Sequence, residues 1–277
     1  MAQIGFFPQS RFGLGSTFAF RKPNIGKWTI HEKVSQHNHQ RTEDNLDYRP
    51  SSAEATFLVQ DESATSGPLA YMRVYMQVPH PLTEFEPREV RRRQADLCPH
   101  SEVDALQFFH EHNATMVPAL LGFKEELQDN DGLVPGGFIV YMVFQRVPGV
   151  RLADDHVGFN PGFPLPKFFQ IFNRAERDKV REEFEKGYVT LARLNYKPFS
   201  PWATHLVWDA ESSKLTFIDF RRAKEARSWE RRRPGPHRMN TEITTDRDAL
   251  CCIWELWGLA NSPDQPKDQG DLSLWTL

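Results

Sequence analysis

Cysteine is scarce in this sequence. Cys98, Cys251 and Cys252 are the only three in 277 residues. Three thiols cannot build a disulfide framework, and no His/Cys spacing matches a zinc centre. Long apolar runs are missing too. The longest, such as Phe138 to Phe144, fall far short of the ~20 residues that a membrane-spanning helix needs. Charge of one sign is also lacking: the net charge is -3 and the isoelectric point about 6.4, so the chain as a whole is no nucleic-acid magnet. Acid is absent from the first 31 residues, which hold Arg11, Arg21, Lys22 and Lys27. Phe6, Phe7, Phe12, Phe18 and Phe20 are interrupted there by polar residues, so no secretory h-region is expected in this stretch. An organelle-targeting, mitochondrial reading of this stretch stays open beside the expected one, an extension over 1–27 packed through its phenylalanines. Gly13-Leu14-Gly15-Ser16 looks like a phosphate loop but lacks the flanking strand and the later glycine.

What is present describes a packed protein. Hydrophobic residues make up 39% of the chain and aromatics 12%, too many for disorder even at a mean hydropathy of -0.58. An intracellular, cytoplasmic or nuclear protein is expected. Trp28 to Val34 alternates as a strand does, and the polar stretch Ser35 to Ser52 reads as a long loop. Its His37 and His39 suggest a metal, but no carboxylate or thiol stands at a fixed spacing from them. Ala55 to Val59 and Leu69 to Val78 read as a strand pair around a polar loop ending in Gly67-Pro68. Pro79, Pro81 and Pro87 stop regular structure. Ser101 is placed as a helix cap, with Val103, Leu106 and Phe109 on one face. Two further strands follow, Ala119 to Glu125 and Gly136 to Val147, the second apolar throughout as a strand covered on both faces is. Arg177 to Leu194 is the clearest helix, its stripe being Val180, Phe184, Gly187, Tyr188, Leu191 and Leu194. A hairpin of Leu206–Trp208 with Leu215–Ile218 comes next. A helix over Thr244 to Ala260 with Leu250, Ile253, Trp254 and Trp257 inward closes the order, and the tail beyond it is polar.

This order resembles that of the protein-kinase-like superfamily, including its aminoglycoside-phosphotransferase-like branch, and several motifs support the resemblance. Ala70-Tyr71-Met72-Arg73-Val74-Tyr75 resembles the V-A-I-K strand, with Arg73 where the phosphate-binding lysine stands, and Glu102 matches the glutamate that pairs with it. Val147-Pro148-Gly149-Val150-Arg151-Leu152 resembles the hinge of the phosphotransferases. Ile218-Asp219-Phe220 resembles the metal-binding D-F-G, and Thr245 to Leu250 resembles the anchoring helix of the lower lobe. The resemblance implies an α+β, bilobal kinase-like fold. Its N-lobe over 28–148 would be antiparallel β and its C-lobe over 149–260 reduced and mainly helical, with a polar tail over 261–277. ATP and Mg²⁺ are the cofactors it implies. The chain is similar to a group of fungal kinase-like proteins with eroded catalytic motifs.

The departures bear on the chemistry. No glycine lies between the first strand and Ala55, so the amide cradle for phosphates is missing, and Arg49, Ser51 and Ser52 are weaker substitutes. An Arg73–Glu102 pair would hold phosphate or simply tie strand to helix. Counting back along the motif puts His205 at the second metal-binding asparagine and Ser200 at the catalytic aspartate. Serine is no base near neutral pH and imidazole is a poor Mg²⁺ ligand. Asp219 alone survives as a metal ligand. A Ser200–His205–Asp219 hydrolase set has no G-x-S-x-G elbow behind it. The expected function is therefore a pseudokinase acting by binding or regulation, with at most weak nucleotide or metal binding through Arg73, Glu102 and Asp219. Alternatives are an active ATP-dependent phosphotransferase on a small molecule or protein, and a nucleotidyl transferase. The basic segment 221–238, with Arg231, Arg232 and Arg233 at its centre, is the candidate for binding a protein or acidic ligand. With Trp229 its only stacking aromatic, nucleic acid is disfavoured.

Overall fold

The computed structural model describes residues 5–42, 50–63, 67–97, 100–154, 167–194, 196–197, 202–221, 223–225, 253–261 and 276–277. They fall into two compact units. One runs to His110 and resumes over Ala119–Arg146; the other comprises Glu111–Pro118 and the chain from Val147 onward.

The first unit is built on strands Thr17–Phe20 (β1), Lys22–Pro23 (β2), Gly26–His39 (β3), Ser52–Asp61 (β4), Ala70–Gln77 (β5), Leu120–Leu127 (β6) and Phe138–Gln145 (β7), with helices Gln9–Phe12 (α1), Arg88–Arg92 (α2) and Ser101–Glu111 (α3). Among the described residues these strands form one sheet in the order β1-β3-β4-β5-β7-β6-β2, and every neighbouring pair is antiparallel. The period of two sorts the side chains to opposite faces. Ala55, Phe57 and Val59 stand opposite Val74, Met72 and Ala70, and Met72 and Val74 stand opposite Val143 and Tyr141. That face is closed by Phe6, Phe7, Phe12, Phe18 and Phe20. Phe12 lies at the centre, its ring 5.2 Å from Phe7, 5.8 Å from Phe18 and 5.9 Å from Phe57. Fully burying each such side chain contributes about 1.5–3 kcal/mol. The phenylalanines of the stretch over 1–27 pack as expected, and from Gly5 its described residues also supply strands β1 and β2 and the start of β3.

Other local expectations are corrected. The loop read over Ser35 to Ser52 begins later, because β3 continues to His39 and pairs residue by residue with β4 up to His39–Ser52. Past Ile30 its side chains are exposed or half-buried, so main-chain pairing holds this half and leaves no apolar alternation to read. Pro87 does not end regular structure but opens α2, since a proline lacks only an amide that a first turn leaves unused. Ser101 is the first helical residue and no cap: the Asp104 amide donates to the His100 carbonyl.

In the second unit the helices are Lys167–Ile171 (α4) and Arg174–Arg193 (α5), and the strands are Val150–Arg151 (β8), Tyr196–Lys197 (β9), Leu206–Asp209 (β10), Lys214–Phe217 (β11) and Lys224–Glu225 (β12). The order β11-β10-β8 makes one small sheet and β12-β9 another. A capping box starts α5: the Glu176 amide donates to Asn173 Oδ1, and the Asn173 amide to Glu176 Oε2. The helix sets Phe184 against Phe217 and Trp257, with ring centroids 5.6 and 5.3 Å away. Trp257 is buried, whereas Ile253 and Trp254 are half-buried. Arg181 is buried in α5, donating through Nε to the Leu259 carbonyl and pairing with Asp178. Its guanidinium stacks on Phe168 and Trp254, and burial pushes its pKa down to about 10. The end of the polar tail is docked: Asn261 bridges Thr276, and Arg177 donates to the Leu277 carbonyl. The remainder of the helix read over Thr244 to Ala260, including Leu250 and Cys251, lies outside the described residues. Among the described residues no helix is long and apolar enough to cross a membrane.

Two substitutions test this packing. Phe12→Ala should lower stability by about 3–5 kcal/mol in urea unfolding, whereas a dispensable leader would leave the midpoint unchanged. Gly187→Ala should lower stability by about 1–3 kcal/mol despite the better helix propensity, because an ideal Cβ there lies 2.5 Å from Phe217 Cε2. A raised midpoint would contradict that close approach.

Candidate functional site

Arg73 and Glu102 are brought together in the first unit. Arg73 is in the middle of β5, on the face opposite the phenylalanine core, and Glu102 is in the first turn of α3. Arg73 Nη1 lies 2.6 Å from both Glu102 carboxylate oxygens, and its Nε donates to Thr56 Oγ1 at 3.3 Å. The guanidinium also lies 5.3 Å from the centroid of Phe144. The Arg73 and Glu102 side chains are 15% and 4% exposed, which makes this an interior pair. Tyr75, two residues along the same strand face, donates its hydroxyl to Glu102 Oε2. Burial, then the nearby Glu102 charge, raises the Tyr75 pKa well above its ordinary value. Tyr75 was not singled out from the sequence, although its spacing of two from Arg73 was a usable signal.

Tyr71 is the second residue the sequence reading passed over. It stands at the small-residue position of the V-A-I-K string, on the same face as Arg73, with its ring 6.0 Å from Phe144. Tyr71, Phe144 and Arg73 thus share one half-buried patch of the sheet.

The candidate phosphate contacts are already engaged. Ser51 is buried; its hydroxyl accepts from the Arg41 amide at 2.8 Å and donates to the Arg41 carbonyl at 3.2 Å. It also lies 2.9 Å from His80 Nδ1. In the Gly13–Ser16 turn, the Gly15 amide donates to Ile30 and the Ser16 amide to Gly13. Neither segment offers these groups to a phosphate. Arg49 lies outside the described residues. His37 and His39 join no metal cluster: among the described residues no three His, Cys, Asp or Glu side chains converge to hold a metal.

His205 and Asp219 meet in the second unit. Leu206 pairs with Phe217 across the β10–β11 hairpin, so the residues just outside that pair are also opposed. The Ile218 amide donates to the His205 carbonyl at 2.8 Å, and His205 Nε2 lies 3.4 Å from Asp219 Oδ2. Asp219 has a φ of 65°, in the left-handed region that few non-glycine residues adopt. A local hydrogen bond supports that conformation, since Oδ1 accepts from the Arg221 amide at 3.3 Å. Arg221 then closes over the carboxylate: Nε donates to Oδ1 at 2.8 Å and Nη2 to Oδ2. With Asp219 16% and Arg221 41% exposed, such a pair contributes on the order of 1 kcal/mol.

This donor set does not fit Mg²⁺, which takes an octahedron of oxygens. One carboxylate is available, a guanidinium and an imidazole already face it, and neither of those is an oxygen donor. Ser200 and Arg231, Arg232 and Arg233 lie outside the described residues, and the Ser200–His205–Asp219 set has only its last two members there.

No protein-family model matches the sequence, and no curated protein matches it. Among solved structures the chain is similar to vaccinia related kinase 3, at 12% identity and a TM-score of 0.37, over 78% of this chain and 55% of that one. It is also similar to the kinase of the Cydia pomonella granulovirus, at 12% identity and a TM-score of 0.39, over 72% and 52%. The chain spans about half the length of each. At TM-scores this low neither likeness carries weight, and the residues themselves must.

Glu102→Ala should cost about 3–5 kcal/mol, because it leaves a half-buried guanidinium and a buried phenol without their shared carboxylate. Pairing it with Arg73→Met should recover part of that loss in a double-mutant cycle, with a coupling of at least ~1 kcal/mol. Strict additivity would show that the two side chains do not support each other.

Proposed function

We propose that this chain is a kinase-like protein that does not transfer phosphate and acts by binding, as a pseudokinase-type regulatory module. The arrangement at Asp219 is the observation that carries this reading: Asp219, which resembles the metal-binding aspartate of the kinase motif, holds Arg221 and lies beside His205 instead of presenting a bare carboxylate. Phosphoryl transfer consists largely of positioning and charge stabilisation. A site whose carboxylate is neutralised from within, and whose second position is imidazole, lacks the metal clamp that does this work. Two observations add support. Arg73 is spread over Glu102, Thr56 and Phe144, and Ser51 is spent on Arg41. Nucleotide binding, where it occurs, is accordingly weak. Through its basic character the segment 221–238 supplies a surface for a protein or another acidic ligand.

Thermal unfolding with ATP and Mg²⁺ or Mn²⁺ tests this reading. A ligand with a Kd near 1 mM, added at about 1 mM, stabilises by roughly 0.4 kcal/mol. The expected shift is therefore under about 2 °C. A larger shift abolished in Asp219→Ala would show retained nucleotide binding at that residue. Incorporation of label from γ-labelled ATP, lost in Asp219→Ala, would establish a phosphotransferase and overturn the proposal. Incorporation from α-labelled ATP would establish a nucleotidyl transferase and overturn it equally.

A further inference from the structure

Between β5 and α3 the chain makes an excursion over residues 80–97 that is pinned on its inner side and apolar on its outer side. Polar side chains do the pinning. Gln94 accepts from the His80 amide at 3.0 Å and donates to Thr83 Oγ1 at 2.9 Å, and Thr83 Oγ1 donates in turn to the His80 carbonyl. Gln77, fully buried, donates to the Gln94 carbonyl and accepts from the Asp96 amide. Arg91 donates to the Leu133 carbonyl. On this held segment Leu82 is 93% exposed, Phe85 94% and Leu97 75%. Leu82 has a φ of 71°, a left-handed conformation that is strained for a bulky residue. The chain thus carries backbone strain at a leucine whose side chain stands in water. Single apolar residues on a surface are ordinary, but several on one pinned segment mark a contact.

Charge identifies the occupant. Residues 80–97 hold four acids and four arginines, so the segment is neutral and does not favour nucleic acid or an anionic bilayer. The signs are nevertheless separated. Exposed Glu86 and Glu89 come first, and exposed Arg92 and Arg93 follow. Arg92 keeps a contact of its own, to Asn130, and Arg88 between the two groups is paired with Asp131. A surface with one sign ahead of the other complements itself about a two-fold axis. We propose that the chain self-associates across this segment, with a second copy as the occupant. Leu82 and Phe85 of the two copies pack on each other, and Glu86 and Glu89 of each copy face Arg92 and Arg93 of the other. A stable dimer buries about 800 Å² on each partner, of which a phenylalanine supplies on the order of 200 Å². The apolar anchors cover only part of that area, so the dimer is weak and reversible.

The test uses the full chain without nucleotide, so its outcome is separate from the question of ATP turnover. Sedimentation from about 1 to about 300 µM should show a monomer–dimer equilibrium with a Kd on the order of 10–100 µM. Leu82→Gly removes the side chain and suits the left-handed backbone. It should fold at least as stably as the natural chain while weakening the dimer at least about tenfold. Phe85→Ser should weaken it similarly. Glu86→Arg/Glu89→Arg and Arg92→Glu/Arg93→Glu chains should each stay monomeric alone and associate when mixed. Circular dichroism checks the folding of every variant. A natural chain that stays monomeric at the highest concentration overturns the proposal. A dimer that neither Leu82→Gly nor Phe85→Ser weakens overturns it too, as do folded charge variants that fail to associate on mixing.

Discussion

The Glu102 carboxylate is the constraint on which the first unit depends. It sits almost entirely out of water, where an unanswered charge is costly. It is answered by Arg73 from the middle of β5 and by Tyr75 from the same strand. Because both donors come from one strand face, α3 has one position on the sheet that satisfies them. The rest of the arrangement follows from that choice. Arg73 must point away from the phenylalanine core, which leaves Met72 and Val74 to face it. Those two then align with Val143 and Tyr141, and the apolar β7 fills both faces of the sheet.

Arginine at position 73 is not interchangeable with lysine in this setting. A lysine offers a compact charge on one nitrogen, whereas the guanidinium works on three partners in three directions. Nη1 reaches Glu102, Nε reaches Thr56, and the cation lies near Phe144. Each contact fixes the plane of the group a little further. A residue that must receive a phosphate needs latitude, and this one is restrained on several sides. That geometry makes Arg73 a firm tie between strand and helix.

Legibility in the sequence followed the physics of each element. β7, α5 and the β10–β11 hairpin were readable because burial imprints a run, a stripe or a pair of short strands around a polar turn. The far half of β3 was not, because its side chains are exposed or half-buried and its pairing is made by backbone groups that leave no trace in residue type. That the first 27 residues pack through their phenylalanines is legible, but their irregular spacing hides the elements: a short helix, a turn and two short strands deliver them to one face. Arg181 lies outside the apolar stripe of α5 and its burial leaves no pattern in the sequence, because its neighbours Phe168, Trp254 and Leu259 come from distant parts of the chain. At the candidate site, the Arg73–Glu102 pair is legible through the resemblance to the kinase motif. The closure of Asp219 was not. Arg221 had been read as the first of many basic residues, and only the left-handed backbone at Asp219 turns its side chain back onto the carboxylate.

In each unit an acidic residue from the kinase resemblance meets an arginine of this chain: Glu102 meets Arg73, and Asp219 meets Arg221. The two replacements differ in kind. Arg73 stands for another tethered cation, so its exchange alters geometry and leaves the charge in place. Arg221 is a cation of the chain itself, two residues from the carboxylate it contacts. A dissolved ion fills its site according to its concentration, and a tethered one is always present at the effective concentration that its linker sets. With two residues of chain between carboxylate and guanidinium, that concentration is high and does not vary with the surroundings. Part of the charge at Asp219 is thus answered from within the chain. A carboxylate met in this way by a side chain two residues along keeps its place in the fold through local chain geometry.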